Sequence, residues 1–145
     1  MKFRFSLAPV LKVREHKEKL QKQRLAEKQR LRQVIADKKS EIAIGLRGFI
    51  EERDDDSVND INRIRSSYAH MEYAHQIMGN LVRDLNRAEQ DIDRERDKLI
   101  RVHRDTRIME KAKEREHKVF LEEIDRQDRR QMDEIATQLY NRHSE

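Results

Sequence analysis

Two Glu-x-x-His pairs, Glu72 with His75 and Glu114 with His117, are the residues of this sequence best placed by type and spacing to do chemistry. On a helix, residues three apart share a face, and two such pairs on different helices can build a di-iron carboxylate site. Here 42 residues separate the pairs along what reads as one continuous helix, about 63 Å at 1.5 Å per residue, so they do not converge within one chain. With 29 acidic residues and six histidines, such pairs arise by chance. A calcium-loop reading of the aspartate cluster fails too, because the required glycine and terminal glutamate are missing. There is no cysteine, hence no thiolate zinc site, disulfide or thiol nucleophile. No glycine-rich phosphate loop and no HExxH is present. The chain reads as non-enzymatic, with no metal and no cofactor.

The elements that would carry these residues are helices. Charged residues make up 43% of the 145 and hydrophobic ones 35%, with one proline and three glycines. That inventory does not fill a layered globular core; it suits long helices or a coiled coil. The net charge of +4 comes from 33 basic and 29 acidic residues with interspersed signs, a salt-laced surface rather than a polycation. The opening MKFRFSLAPVLKVRE does not read as a signal peptide, since Arg4, Ser6, Pro9 and Lys12 interrupt its apolar run. No stretch reaches the roughly 18 apolar residues of a membrane span.

The expected architecture is all-α: a single coiled-coil hairpin over 1–145, with helix 1 at about 8–53, a turn at about 54–57 and a longer helix 2 at about 58–142. Pro9 suits the first turn of helix 1. Val13, Leu31 and Phe49 lie 18 residues apart, five helical turns, and Leu20, Ile35, Ile42 and Leu46 fall near the same line. Lys17, Arg24 and Lys38 interrupt that stripe. The break is EERDDDSVND, Glu51 to Asp60, where Ser57 and Asp60 resemble a capping box. Helix 2 gives a heptad with Ile64, Met71, Met78, Leu85, Ile92 and Leu99 at one seam position, and Ile61, Tyr68, His75, Val82, Glu89 and Arg96 at the other. If Phe49 faces Ile61, Val13 meets residues near Asp97. Helix 2 then outlasts helix 1 by some forty residues, about 60 Å. That overhang carries Phe120, Ile124, Met132, Ile135, Leu139 and Tyr140 at helical spacing, a stripe that predicts a partner.

The two ends of the chain resemble a known family. FRFSLAPVLKVRE is similar to the opening of the flagellar export protein FliJ, through Phe5, Leu7, Val10, Leu11, Val13 and Arg14. KEREHKVFLEEIDRQDRRQMDEIATQLYNRH is similar to the ending, a charged helix leading to Met132, Asp133, Glu134, Ile135 and Ala136 and then a short basic tail. The resemblance implies a component of the flagellar type III export apparatus, similar to the stalk of rotary ATPases. It implies a place in the cytoplasm, peripheral at the membrane-embedded apparatus. Its implied partners are the hexameric export ATPase ring, the export gate membrane protein and export chaperones. It would bring Val10, Leu11, Arg14 and Lys17 together with Ile135, Leu139 and Arg142 at the ATPase. It would set Met71, His75, Met78 and Val82 against the gate. Equal spacing leaves the C-terminal overhang alone; so either the overhang enters the ring, or helix 1 is effectively longer.

Two other readings compete. One is a self-associating coiled-coil scaffold using the Phe120–Leu139 stripe, for which a tight dimer is expected, against a monomer or weak self-association for the stalk. The other is a helical nucleic-acid binder, raised by a pI of about 9.4 and opposed by the interspersed charge. Neither nucleic-acid binding nor direct membrane insertion is expected.

Overall fold

The computed structural model describes residues 2–55 and 61–143. Two helices make up the fold, α1 (Ala8–Asp55) and the longer α2 (Ile61–His143), in an all-α antiparallel hairpin. Among the described residues there is no strand and no non-glycine residue with positive φ. The expected turn at 54–57 falls largely outside the described residues, as do the Ser57/Asp60 capping box and the expected start of helix 2.

Burial in α1 follows strict alternating steps of three and four. Leu11, Arg14, Glu18, Gln21, Leu25, Lys28, Arg32, Ile35, Lys39, Ile42, Leu46 and Phe49 are all buried or half-buried. α2 answers with Met71, Ala74, Met78, Leu81, Leu85, Ala88, Ile92, Glu95, Leu99, Val102, Thr106 and Met109. A sustained 3.5-residue repeat is the seam of a left-handed coiled coil.

This seam differs from the expected one. Ile35, Ile42, Phe49, Leu85, Ile92 and Leu99 lie on it, but Val13, Leu20 and Leu31 are 54%, 42% and 50% exposed. Ile61, Ile64 and Tyr68 are exposed as well. In α2 the row Tyr68, His75, Val82, Glu89 and Arg96 faces outward, and Ala74, Leu81, Ala88, Glu95 and Val102 take its place. The physical reason is that half of α1's seam is polar. A search for the apolar line therefore settles on a neighbouring face.

The chain divides into two packing units. The first comprises residues 1–19 and 101–145. Its core is Phe5, Leu11 and Met109, with Phe3, Ala8 and Ala112 packed against them. The segment before α1 lies along α2: the Phe3 ring meets His117 edge-on at 4.8 Å and Phe120 at 5.5 Å. The Ser6 backbone N–H and hydroxyl each donate to the Glu116 carboxylate at 3.1 Å. That places a negative group beside the N-terminal end of α1, where the helix dipole favours it. Arg14 reaches Asp105, donating to its carbonyl oxygen at 3.0 Å. This corrects the expected pairing of Val13 with residues near Asp97. α2 therefore runs past its last partner only from about Leu121, some 35 Å of helix rather than 60.

The second unit is Leu20–Ile100. Ala88 and Ile92 are its buried apolar residues. The Phe49 ring meets His70 at a tilt with centroids 4.7 Å apart, so the register lies about nine residues further along α2 than a Phe49–Ile61 pairing. Lys28 with Asp91 and Arg32 with Glu89 share that register.

Phe5→Ala should lower stability by about 2–4 kcal/mol, since it empties the centre of the first unit's apolar cluster; chemical denaturation followed by circular dichroism measures it. Gly45 and Gly79 sit mid-helix, and a Cβ at either would meet nothing within 4 Å. Gly45→Ala and Gly79→Ala should each raise stability by about 0.5–1 kcal/mol, and a thermal melt that falls instead would show that flexibility there serves the native packing.

Candidate functional site

What distinguishes these helices chemically is the polar seam. Glu18 and Gln21 are buried, and so is Thr106. Each is satisfied locally. The Glu18 carboxylate lies 3.0 Å from Nδ1 of His103. The Gln21 amide donates to the Glu95 backbone oxygen at 3.1 Å and also to the Glu95 carboxylate. The Thr106 hydroxyl donates back to the Val102 carbonyl at 3.1 Å. Among the described residues no buried side-chain nitrogen or oxygen lacks a hydrogen-bond partner. This matters because an unsatisfied buried polar group costs about 1–3 kcal/mol, more than a satisfied one contributes.

The acidity of Glu95 is clearly perturbed. The Lys98 ammonium hydrogen-bonds its carboxylate at 2.9 Å, and with the Gln21 amide it holds Glu95 below the usual glutamate range, against a smaller opposing effect of burial. Around it the pairs are exposed: Lys28–Asp91 at 3.9 Å, Arg32–Glu89 at 3.2 Å and Arg96–Asp93 at 3.5 Å. A groove of about 480 Å³ opens between Gln29, Arg32, Gln33, Glu89, Ile92, Asp93 and Arg96. Both of its guanidinium groups are ion-paired, and it offers no nucleophile beside a base. Among the described residues no three His, Cys, Asp or Glu side chains group as metal ligands. His117 packs its ring on Phe3 rather than turning with Glu114 towards a shared centre.

The family model for the flagellar FliJ protein matches residues 2–145. This chain belongs to the FliJ family. It is thereby a component of flagellar type III export. Comparison with curated proteins and with solved structures found no match. No helix among the described residues is long and apolar enough to cross a membrane.

For a FliJ-family chain, the residues expected at an ATPase fall into two groups. Leu11 is buried in the first unit's core, Arg14 is engaged with Asp105, and Val10 and Lys17 are exposed beside them. Ile135, Leu139 and Arg142 are exposed on α2. Leu11 packs with Met109, and Ile135 follows 26 residues later on the same helix, about 39 Å away. The two groups do not form one patch. Of the residues expected at a gate, Met71 and Met78 are half-buried on the seam, whereas His75 and Val82 are exposed on its flank.

Sequence reasoning passed over Phe3, Glu18, Gln21, Glu95, Thr106 and Met109. Apolar periodicity gives no signal for the polar ones. A search for opposite charges at a nearly constant antiparallel offset, such as Lys28/Asp91 with Arg32/Glu89, points to the register and then the seam.

The sign of the Glu95 effect follows from its lowered pKa. A carboxylate stabilised in the folded state adds stability above its unfolded value and loses it as pH falls through the folded one. The melting temperature should therefore decline below about pH 4, and Glu95→Gln should flatten part of that decline; identical profiles for the two proteins would remove Glu95 as a contributor.

Proposed function

We propose that this chain is the non-enzymatic stalk of its export apparatus. It engages the export ATPase ring, promotes the ring's assembly and activity, and links it to the export gate and to export chaperones. It works in the cytoplasm, at the cytoplasmic face of the membrane-embedded apparatus. The observation that carries this reading is the stretch of α2 beyond Phe120. Leu121, Met132 and Ile135 are 48%, 70% and 54% exposed there, on a helix that α1 does not reach. A helix with one apolar stripe has little packing stability of its own in water, so a surrounding partner supplies what the sequence pattern requires.

The ATPase contact is assigned to Ile135, Leu139 and Arg142 on α2, with Val10 and Lys17 forming a separate, smaller contact. Leu11 and Arg14 act through packing beneath them. The gate contact falls to His75 and Val82, held in position by Met71 and Met78. The mechanism is mechanical: exposed ion pairs contribute only about 0–1 kcal/mol each, so a charged helical surface exchanges its contacts from one ring subunit to the next without being trapped.

Co-purification with the export ATPase and stimulation of ATP hydrolysis test the reading. Met132→Glu with Ile135→Glu should weaken ATPase binding more than tenfold while leaving the melt unchanged, because both side chains are exposed apolar anchors. His75→Ala with Val82→Ala should spare ATPase binding and reduce capture of the gate protein's cytoplasmic part. Failure of the unmodified chain to bind or stimulate the ATPase would sink the proposal.

A further inference from the structure

α2 changes its repeat where the cover of the N-terminal segment ends. The seam runs on through Glu116 and Phe120, both half-buried, and its next positions are Glu123, Gln127 and Arg130, all polar. The apolar residues of the overhang follow a different row. Asp125, Asp128, Met132, Ile135, Leu139 and Arg142 succeed one another in alternating steps of three and four, and all six are exposed. The ion pair of this stretch, Arg126 with Glu123 at 3.5 Å, lies off the row. A fresh 3.5-residue repeat, out of step with the seam, has the spacing that seats another helix over several turns.

The order of charges along the row selects the occupant. It reads two carboxylates, three apolar side chains and one guanidinium, and turned end for end it is its own complement. An antiparallel second copy aligned with Met132 opposite its Ile135 sets Asp125 opposite its Arg142 and Asp128 opposite its Leu139. Two-fold symmetry makes each contact twice. Arg142 of the second copy then lies within one turn of both aspartates. Other alignments lose this. Moved by one heptad, the row sets Asp125 against Ile135, Asp128 against Met132 and Arg142 against Lys118; moved the other way, Arg142 faces Met132. Parallel copies stack each charge on its own like. The apolar residues alone suit any aliphatic helix; the placement of Asp125 and Arg142 is what specifies a second copy. Residues 121–142 hold six acidic and four basic side chains, a small excess that salt screens beyond about 8 Å.

We infer that the overhang of α2 pairs antiparallel with that of a second copy of this chain, centred between Met132 and Ile135 and closed by two Asp125–Arg142 contacts. The apolar part is short and exposed ion pairs are weak, so the pairing is reversible. Ile135, Leu139 and Arg142 are also assigned to the ATPase, so pairing and ATPase engagement exclude one another. That consequence rests on the ATPase assignment, whereas the pairing does not. An exchangeable self-pair covers the apolar row until the ring takes it.

Sedimentation equilibrium of the full chain, from micromolar to sub-millimolar, should show a reversible monomer–dimer equilibrium. Met132→Glu with Ile135→Glu should abolish the dimer with circular dichroism unchanged. Asp125→Arg alone and Arg142→Asp alone should each weaken it about tenfold, because each sets like charges face to face. Both substitutions in one chain should restore it to within about threefold, since only the antiparallel alignment rejoins the reversed pair. Four results would each overturn the inference: a monomer throughout, single variants that associate like the parent, a double variant no better than the singles, or a dimer that Leu31→Glu with Val34→Glu breaks. A chain that dimerises in this way but does not bind the ATPase upholds the pairing and removes only the competition. A chain that binds the ATPase and never self-associates removes the pairing.

Discussion

Everything in this hairpin depends on how α1 meets α2 along a seam that is half polar. Hydrophobic burial is the dominant favourable term in folding, at roughly 25 cal/mol per Å² of apolar surface. Here that term is thin. Among the described residues only Phe5, Leu11, Ala88, Ile92 and Met109 are buried apolar side chains. Arg14, Glu18, Gln21, Lys28, Arg32 and Lys39 occupy seam positions that leucine would fill in a strongly self-sufficient coiled coil. Each apolar cluster therefore does local service. Phe5, Leu11 and Met109 anchor one unit with the help of the N-terminal segment, and Ala88 with Ile92 anchors the other.

How far this was legible follows from the same constraint. The helical character, the hairpin, the greater length of α2 and the family resemblance follow from composition, the Asp-rich break and the two terminal motifs. In α2, Met71, Met78, Leu85, Ile92 and Leu99 mark the seam because they are apolar at heptad spacing. The companion row is displaced by one residue, since Ala74, Ala88 and Glu95 sit on the true row while His75 and Val82 sit on the decoy. In α1 the apolar residues at 13, 20 and 31 trace a face other than the seam. Hydrophobicity reports only that a residue is buried somewhere, and it is silent where charge pairing places a polar residue between helices. The site candidates shared that limit: Leu11 and Ile135 are both apolar in sequence, but one is core and the other is surface.

The N-terminal segment shows that a short stretch outside regular structure can change the extent of a helical pairing. Phe3, Phe5 and Ser6 lie before α1 or at its entry, yet they cover α2 as far as Phe120. The aromatic rings supply area, and Ser6 supplies geometry by directing two donors at one carboxylate. Helix counting alone misses this cover, because the residues that provide it have no periodicity.

A polar seam also specifies what a uniform leucine seam would not. Coiled coils slip by whole heptads at little cost when every seam residue is apolar, and polar residues at seam and flank positions raise that cost. In the unit Leu20–Ile100, Lys28 lies with Asp91 and Arg32 with Glu89. A slip of one heptad towards the C-terminus of α2 sets Lys28 beside Lys98 and Arg32 beside Arg96, two like-charge contacts in place of two ion pairs. A slip the other way keeps a carboxylate, Asp84, beside Lys28, but moves Arg32 onto Val82 and Gln21 from Glu95 onto Ala88, so the buried amide keeps a backbone acceptor and loses its carboxylate one. The individual ion pairs are weak, but the alternatives they forbid are costly. Register here is set more by what the wrong alignments lose than by what the right one gains.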